Sequence, residues 1–481
     1  MYEVKNMKIL VFSLGVIFKN VVQGGSQKVL RDISRGLVYR GHKITIVCPR
    51  RKDNHEMFEL CPGAVVKPIL PLREAFPMPY AVPPFSLVET YRLLEEELRD
   101  VDLLYCHDGG LLIETLKKRV PVVISLRDFC YQETLLGALN FQGRTVVVNS
   151  MHTYLCLQDS FMQINPSLKG KVRVIYNGYD SEVFRRKNIS EQFYEKYGLH
   201  RKNDELIIGF PHRPEMSKGF SNALKVLKHL TGTWGKRVKL LIPMYMDRGL
   251  SDRTDDTYHQ TKAMIEDLHL QDNVIYHRWV RHEEMPEYYS YCDVILCIGN
   301  FVEAFSNVSV EALLCETPVV SADTSTYRTM PIRQFLHIVP YGAINETAQV
   351  VHEILSGKYS KTPTEAREFI SKEFTIGKMV DAYEQVFLQA LKEKGEEEHI
   401  GECGEYQAES AMKGSYKLAA WCEVIDGKIY NDYRGELLED PLNGAFSSPG
   451  KMYTKQELIL RGIEEDKIEQ AIADGLLIVC R

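Results

Sequence analysis

At 481 residues the chain is too long for one compact core and calls for two domains of ordinary size plus an extra unit. Its 44% apolar and 26% charged content is that of a globular protein, and a net charge of −6 argues against a broad polyanion-binding surface. No apolar run approaches the roughly 18 residues a membrane span needs, and Met1 to Ile9 shows no signal-peptide pattern, so a cytoplasmic location is expected.

The chain begins with a strand-like run, MKILVFS, then a loop ending at Gly24 and Gly25, then a helix in which Val29, Ile33 and Leu37 recur every four residues. RGHKITIVCP follows as a turn and a buried strand, completing a βαβ unit. Seven of the twenty prolines fall between Pro62 and Pro84, and that density predicts an irregular surface loop. DLLYCHD, VPVVISL and RTVVVNS are further β-branched runs separated by helix-length segments. This alternation predicts a parallel sheet with helices on both faces.

After VRVIYNGYDSEVFRR the pattern restarts, with a break near Arg186 to Asp204. ELIIGFPHRP, VKLLIPM, NVIYHRWV, CDVILCIG and TPVVSAD read as strands of a second parallel unit, and MVDAYEQVFLQALKEK as a closing helix that could pack back on the first domain. The expected organisation is an amino-terminal Rossmann-like domain over 1–190, a second over 191–395, an acidic linker over 396–415 and a small α+β unit over 416–481. In the last, Thr454 and Glu457 form a capping box, Gly475 ends a helix and LLIVC makes a strand. Its twelve acidic against eight basic side chains disfavour a nucleic-acid role for the helix-turn-helix-like stretch Thr454 to Gly475. Acceptor recognition, a partner protein or self-association are the roles expected of it. The eleven cysteines are scattered without a CxxC pair and read as reduced thiols.

Two doubly wound units in tandem create a cleft where their strand carboxyl ends face each other. No GxGxxG follows a strand and no GxxxxGK[ST] occurs, which disfavours dinucleotide oxidoreductases and P-loop enzymes. At the end of the second unit's first strand, GFPHRPEMSKGF places Arg213 and Lys218 on one loop before Gly219 and a helix. Two cations, a helix amino terminus and a glycine are the parts a diphosphate site requires. In EAFSNVSVEALLCETPVV, Glu303 lies in a strand-to-helix loop and Glu311 about one turn inside the helix. A carboxylate there can accept hydrogen bonds from a ribose diol, while the amides of Ala304 to Val308 are free for phosphate or sugar oxygens.

These residues resemble the family-4 glycosyltransferases of the GT-B fold, whose hallmark is a Glu-x7-Glu segment matched here at Glu303, Ala304, Phe305, Asn307, Glu311, Ala312, Thr317, Pro318 and Val319. HRPEMSKG is similar to that family's Arg-x4-Lys-Gly loop, YNGYDSEVF to its interdomain segment, GGSQKV to its amino-terminal glycine loop, and NVIYHRWVRHEEMPEYYSYCDVILC, which contains Val280, to its nucleobase-contacting stretch. The likeness runs in order from residue 7 to about 390.

The resemblance implies transfer of a sugar from a nucleotide-sugar donor, a UDP- or GDP-sugar first, with retention of anomeric configuration and no cofactor or obligatory metal. It assigns Arg213 and Lys218 to the donor diphosphate, Glu311 to the ribose, Glu303 to the donor sugar, and Phe305, Ser306 and Asn307 to the rest of the donor pocket. Where many members carry a histidine, after VVISL, this chain has Arg127 and Asp128, with Arg127 expected to take the position; His107 is a second strand-end candidate, or else a structural histidine. The acceptor is expected on the first domain, near Gly24, Gly25 and the aromatic Phe76, Tyr80 and Phe85. Other readings are a catalytically idle nucleotide-sugar-binding subunit, or an epimerase or phosphorylase on the same architecture.

Overall fold

The computed structural model describes residues 6–22, 24–74, 77–111, 120–202, 204–244, 254–358, 363–393, 414–446 and 450–480. Phe76, named above as an acceptor-side aromatic, lies outside these residues.

The first domain is built on an eight-stranded sheet: β1 (Lys8–Ser13), β2 (Lys43–Pro49), β3 (Phe58–Cys61), β4 (Ala64–Leu70), β5 (Leu103–His107), β6 (Val122–Leu126), β7 (Thr145–Val148) and β8 (Val172–Val174). The order is β3-β4-β2-β1-β5-β6-β7-β8, parallel except for the β3–β4 pair. Strands β5, β6 and β7 are buried throughout, as expected of β-branched runs covered on both faces. The second domain carries β9 (Leu206–Gly209), β10 (Val238–Pro243), β11 (Val274–His277), β12 (Val294–Cys297), β13 (Val319–Ala322) and β14 (His337–Val339) in the order β11-β10-β9-β12-β13-β14, all parallel. Strand order reverses between β1 and β5 in one sheet and between β9 and β12 in the other. At such points the helices diverge to opposite faces and leave a crevice at the strand carboxyl ends.

The proline-dense stretch corrects one expectation, because its first third is the regular strand β4 rather than loop. The pairing of β4 with β3 reaches only as far as Val66, so at Pro68 that side of the strand is unpaired while Pro68 lies opposite Cys48 of β2. A proline is tolerated where a strand has become an edge, and burial of Ala64, Val66, Pro68 and Leu70 keeps the strand's inner face continuous.

The helix Ile376–Glu393 follows the second domain in sequence but belongs to the core of the first. Met379, Val380, Tyr383 and Phe387 bury against Val29, Ile33 and Leu37 of the helix Gly25–Tyr39. Glu384 receives Arg40 Nη1 at 2.5 Å and lies 2.8 Å from His42 Nε2. The C-terminal unit is α+β. One three-stranded antiparallel sheet joins Met452–Thr454, Ser415–Leu418 and Leu477–Val479, and a second joins Cys422–Ile425, Lys428–Asn431 and Glu436–Glu439. The Thr454–Glu457 capping box opens the helix Lys455–Leu460. No helix among the described residues is long and apolar enough to cross a membrane.

Since Phe387 is fully buried in the first domain's core, Phe387→Ala is expected to cost about 3–5 kcal/mol and to speed amide hydrogen exchange in Gly25–Tyr39, although that helix is more than 300 residues away in sequence. Chemical denaturation and exchange measurements check both.

Candidate functional site

Two loops leave the switch point of the second sheet side by side. The loop after β9 carries Arg213 and Lys218, and the loop after β12 carries Phe301 and Glu303. They are joined through the backbone, with Asn300 and Phe301 amides donating to Ser217 O at 2.9 and 2.8 Å. Glycine makes this approach possible. A Cβ on Gly219, which has φ +88°, would meet the Ile298 carbonyl at 2.7 Å, and one on Gly299 would meet Ser217 O at 2.4 Å.

The join brings Lys218 Nζ to 2.5 Å from Glu303 Oε1 and 3.6 Å from the centre of the Phe301 ring. Arg213 is more exposed, with Glu215 at 3.4 Å. His212, immediately before Arg213 in sequence, has its pKa pushed down to about 3 by burial and then by Lys218 and Arg213. The loop thus pairs Lys218 with Glu303 and Arg213 with Glu215, and two cations on one loop suit a dianionic phosphate group that takes the place of those carboxylates.

Glu311 lies in the helix Asn307–Leu314, whose amino end Ser306 caps by accepting from the Ser309 amide. Its carboxylate is buried, accepts from Tyr289 OH at 2.9 Å and lies 3.7 Å from Nζ of Lys28, which comes across from the first domain. Lys28 is itself buried, 3.9 Å above the Tyr179 ring, and its Nζ has no hydrogen-bond partner. At the helix start, Asn307 Oδ1 accepts from Asn177 Nδ2 at 3.0 Å and from Tyr179 OH. Gly25 presses on the same side chain, so closely that a Cβ there would lie 2.2 Å from Asn307 Nδ2. The glycine loop and the Glu-x7-Glu segment therefore meet directly across the cleft.

Arg127 and His107 are both buried and held by protein partners. Arg127 is buried and donates from Nη1 to Asn177 Oδ1 at 3.0 Å, with Nε 3.6 Å from Asp108. It ties the first domain to the interdomain segment. The residue that faces Glu303 and Lys218 electrostatically is Asp128. Burial first, and the Glu303 carboxylate second, push its pKa up to about 6, with Lys218 opposing. His107 is buried with both nitrogens engaged: Nδ1 lies 2.9 Å from Tyr105 OH and Nε2 2.9 Å from Ser26 Oγ. Burial holds its pKa down near 4, so at neutral pH it is an uncharged prop for the glycine loop.

Phe305 is buried and stacked near Tyr179, and Val280 is buried in the second domain's core, so backbone groups are what these residues can offer a ligand. Tyr80 OH donates to Gly110 O at 3.1 Å, Gly24 is exposed and extended, and Phe85 is 73% exposed. Lys28, Tyr289 and Ser325, whose Oγ accepts from the Glu303 amide at 3.2 Å, are site residues that motif reading did not find. Lys28 alone carried a signal, as a cation just inside the helix that follows the glycine loop.

A carboxyl that holds its proton more tightly folded than unfolded favours folding in acid. That contribution is present below the ordinary value of about 3.9 and is lost as pH rises to about 6. Asp128→Asn is therefore expected to raise the melting temperature at about pH 8, with the gain shrinking to nothing near pH 4. Thermal melts across that range check the sign.

Comparison with known proteins agrees with this geometry. A model of glycosyl transferases group 1 matches residues 195–372 and one of glycosyltransferase family 4 matches residues 23–183; neither reaches the C-terminal unit. An uncharacterized 41.2 kDa protein in the cps region of Klebsiella pneumoniae is 23% identical over 287 residues, covering 58% of this chain and 69% of the relative. Spore coat protein SA of Bacillus subtilis is 19% identical over 236 residues, covering 46% and 60%. Among solved structures, sucrose-phosphate synthase from Thermosynechococcus elongatus superposes with a TM-score of 0.64 at 17% identity, over 81% of this chain and 100% of that one. Anabaena HepE in complex with UDP and glucose gives 0.60 at 18% identity, over 80% and 100%. A glycosyltransferase model is thus matched on each Rossmann-like domain, and the chain shares the GT-B fold of these structures.

Proposed function

We propose that the protein transfers a glycosyl group from a nucleoside diphosphate sugar to an acceptor hydroxyl, with retention of configuration and with Arg213 and Lys218 supplying the positive charge a metal would otherwise provide. The observation that carries this reading is the 2.5 Å contact between Lys218 and Glu303 at the switch point, with Asp128 beside it. In the transfer, the anomeric carbon exchanges its bond to the diphosphate oxygen for one to the acceptor oxygen, and the acceptor's proton leaves with the diphosphate. Charge builds on the departing diphosphate, where a preorganised cation is worth the most.

The donor's diphosphate replaces Glu303 as the partner of Lys218, and the freed carboxylate accepts from the sugar hydroxyls. Glu311 accepts from the ribose once Lys28 has moved aside. The UDP held by the structurally similar HepE favours a uridine donor as the first to try. The acceptor docks on the first domain's side of the cleft, beside Gly24 and Gly25.

Lys218→Ala is expected to lower kcat by about a hundredfold or more. Glu303→Gln should lower kcat with little change in donor KM. Glu311→Gln, chosen because it keeps the space beside Lys28 filled, should raise donor KM by roughly tenfold while kcat holds, since a ribose contact contributes equally in ground and transition states. Initial rates with UDP- and GDP-sugars, repeated in excess chelator, check all three, and activity should survive the chelator. UDP-sugar binding in calorimetry with no transfer or hydrolysis would replace the enzyme reading with that of a nucleotide-sugar-binding subunit.

A further inference from the structure

One turn of the C-terminal unit touches both sides of the cleft. The residues Asn431 to Gly435 join two strands of the unit's second sheet, and the turn is preorganised by Asn431 Oδ1, which accepts from the amides of Tyr433 and Arg434 at 3.0 and 3.3 Å. Toward the second domain, the buried Asp432 receives Arg328 through both guanidinium termini, at 2.9 and 3.0 Å. It also receives the Ser325 amide at 3.2 Å. Ser325 has φ +42°, an uncommon conformation for a residue with a side chain, sustained only where the surroundings fix it. Its hydroxyl in turn accepts from the Glu303 amide at 3.2 Å.

Toward the first domain, Tyr433 OH donates to the carbonyl of Phe129 at 3.0 Å, one residue beyond Asp128. His152, also of the first domain, lies 3.7 Å from Asp432; burial and then Arg328 push its pKa down to about 3, so it faces the carboxylate as a neutral ring. A second anchor holds the unit in place, since Asp159 accepts from Lys417 Nζ at 2.5 Å and from the Ala420 amide at 3.1 Å.

We propose that this turn is a cross-cleft strap, in which Asp432 and Tyr433 act as positioning residues that hold the Glu303 loop and the Asp128 loop at the separation transfer requires. The link runs from Asp432 through Ser325 to the backbone of Glu303 on one side and from Tyr433 to the residue after Asp128 on the other. Neither strap residue is assigned a contact with donor or acceptor. Its effect is on the distance and angle between reacting groups, to which rate is steeply sensitive, and not on donor affinity.

The kinetic part of the inference rests on the transferase reading, whereas the structural part does not. In the full chain, Asp432→Asn weakens the hold on Ser325, and Tyr433→Phe removes only the hydroxyl, keeping a ring against Trp421 and leaving no buried charge unpaired if the first variant folds poorly. Hydrogen exchange is expected to speed up by about tenfold or more at the amides of Glu303 and Ser325 in Asp432→Asn, and in residues 129–131 in Tyr433→Phe. UDP affinity by calorimetry should stay within about twofold while kcat falls by roughly ten- to a hundredfold. Unchanged exchange at those amides in both variants overturns the strap, as does a loss of kcat matched by an equal loss of UDP affinity. If the unmodified protein transfers sugar from no donor, the transferase reading fails by itself, and the exchange measurements still decide whether the strap exists.

Discussion

The chain passes between its two large domains twice, after β8 and again before the final long helix, and the two passages are bonded to each other. Tyr179 and Thr375 form an isolated parallel bridge, and the Tyr179 amide donates to Phe374 O at 2.8 Å. The ladder pins the domains along one line and leaves rotation about it as the natural motion of the cleft. The helix Ile376–Glu393 then buries Val380, Tyr383 and Phe387 in the first domain's core. The crossing therefore lies between two large apolar cores and cannot drift without opening one of them. Asn177, two residues from the bridge, bonds to Asn307 on one side and Arg127 on the other, so the hinge itself is part of the cleft wall.

On this frame the site is a matter of charge held where water is scarce. Arg213 and Lys218 place two cations at one end of the cleft, and the buried His212 beside them has its pKa pushed down by burial first and by those cations second. The Asp128 carboxyl is held above its ordinary pKa by burial first and by the Glu303 carboxylate second. Groups arranged in this way oppose folding stability at neutral pH, an arrangement common at sites where function and not stability fixes the residue. Phe305 and Val280 are buried, so only their main-chain groups are available to a ligand.

Much of this was legible in the sequence because period and spacing carry it. The β-branched runs in alternation with helices gave both sheets, and of the residues the motifs singled out, Lys218 and Glu303 meet in the fold. What could not be read was which neighbour faces inward. Arg127 and Asp128 are adjacent, and only the way the chain leaves β6 decides that the arginine goes to Asn177 while the aspartate lies beside Glu303. Strand β4 was hidden because proline density signals a loop, whereas Pro68 lies just where β3 no longer needs its amide. The docking of the C-terminal unit was invisible for a different reason. Asp432 and Ser325 are 107 residues apart, and nothing local in either segment announces the other.

The buried pair of Lys28 and Glu311 sets a limit on how donor affinity can be read. Its two members come from opposite domains and lie 3.7 Å apart, and the described conformation therefore has the proposed ribose ligand already engaged. On the proposed ribose role of Glu311, a nucleotide would bind only the fraction of molecules in which Lys28 has withdrawn, and the measured dissociation constant would be the intrinsic one divided by that fraction. A substitution at position 28 could then tighten donor binding without adding a single contact to the donor, and an apparent weak affinity would report the closed population as much as the complementarity of the pocket.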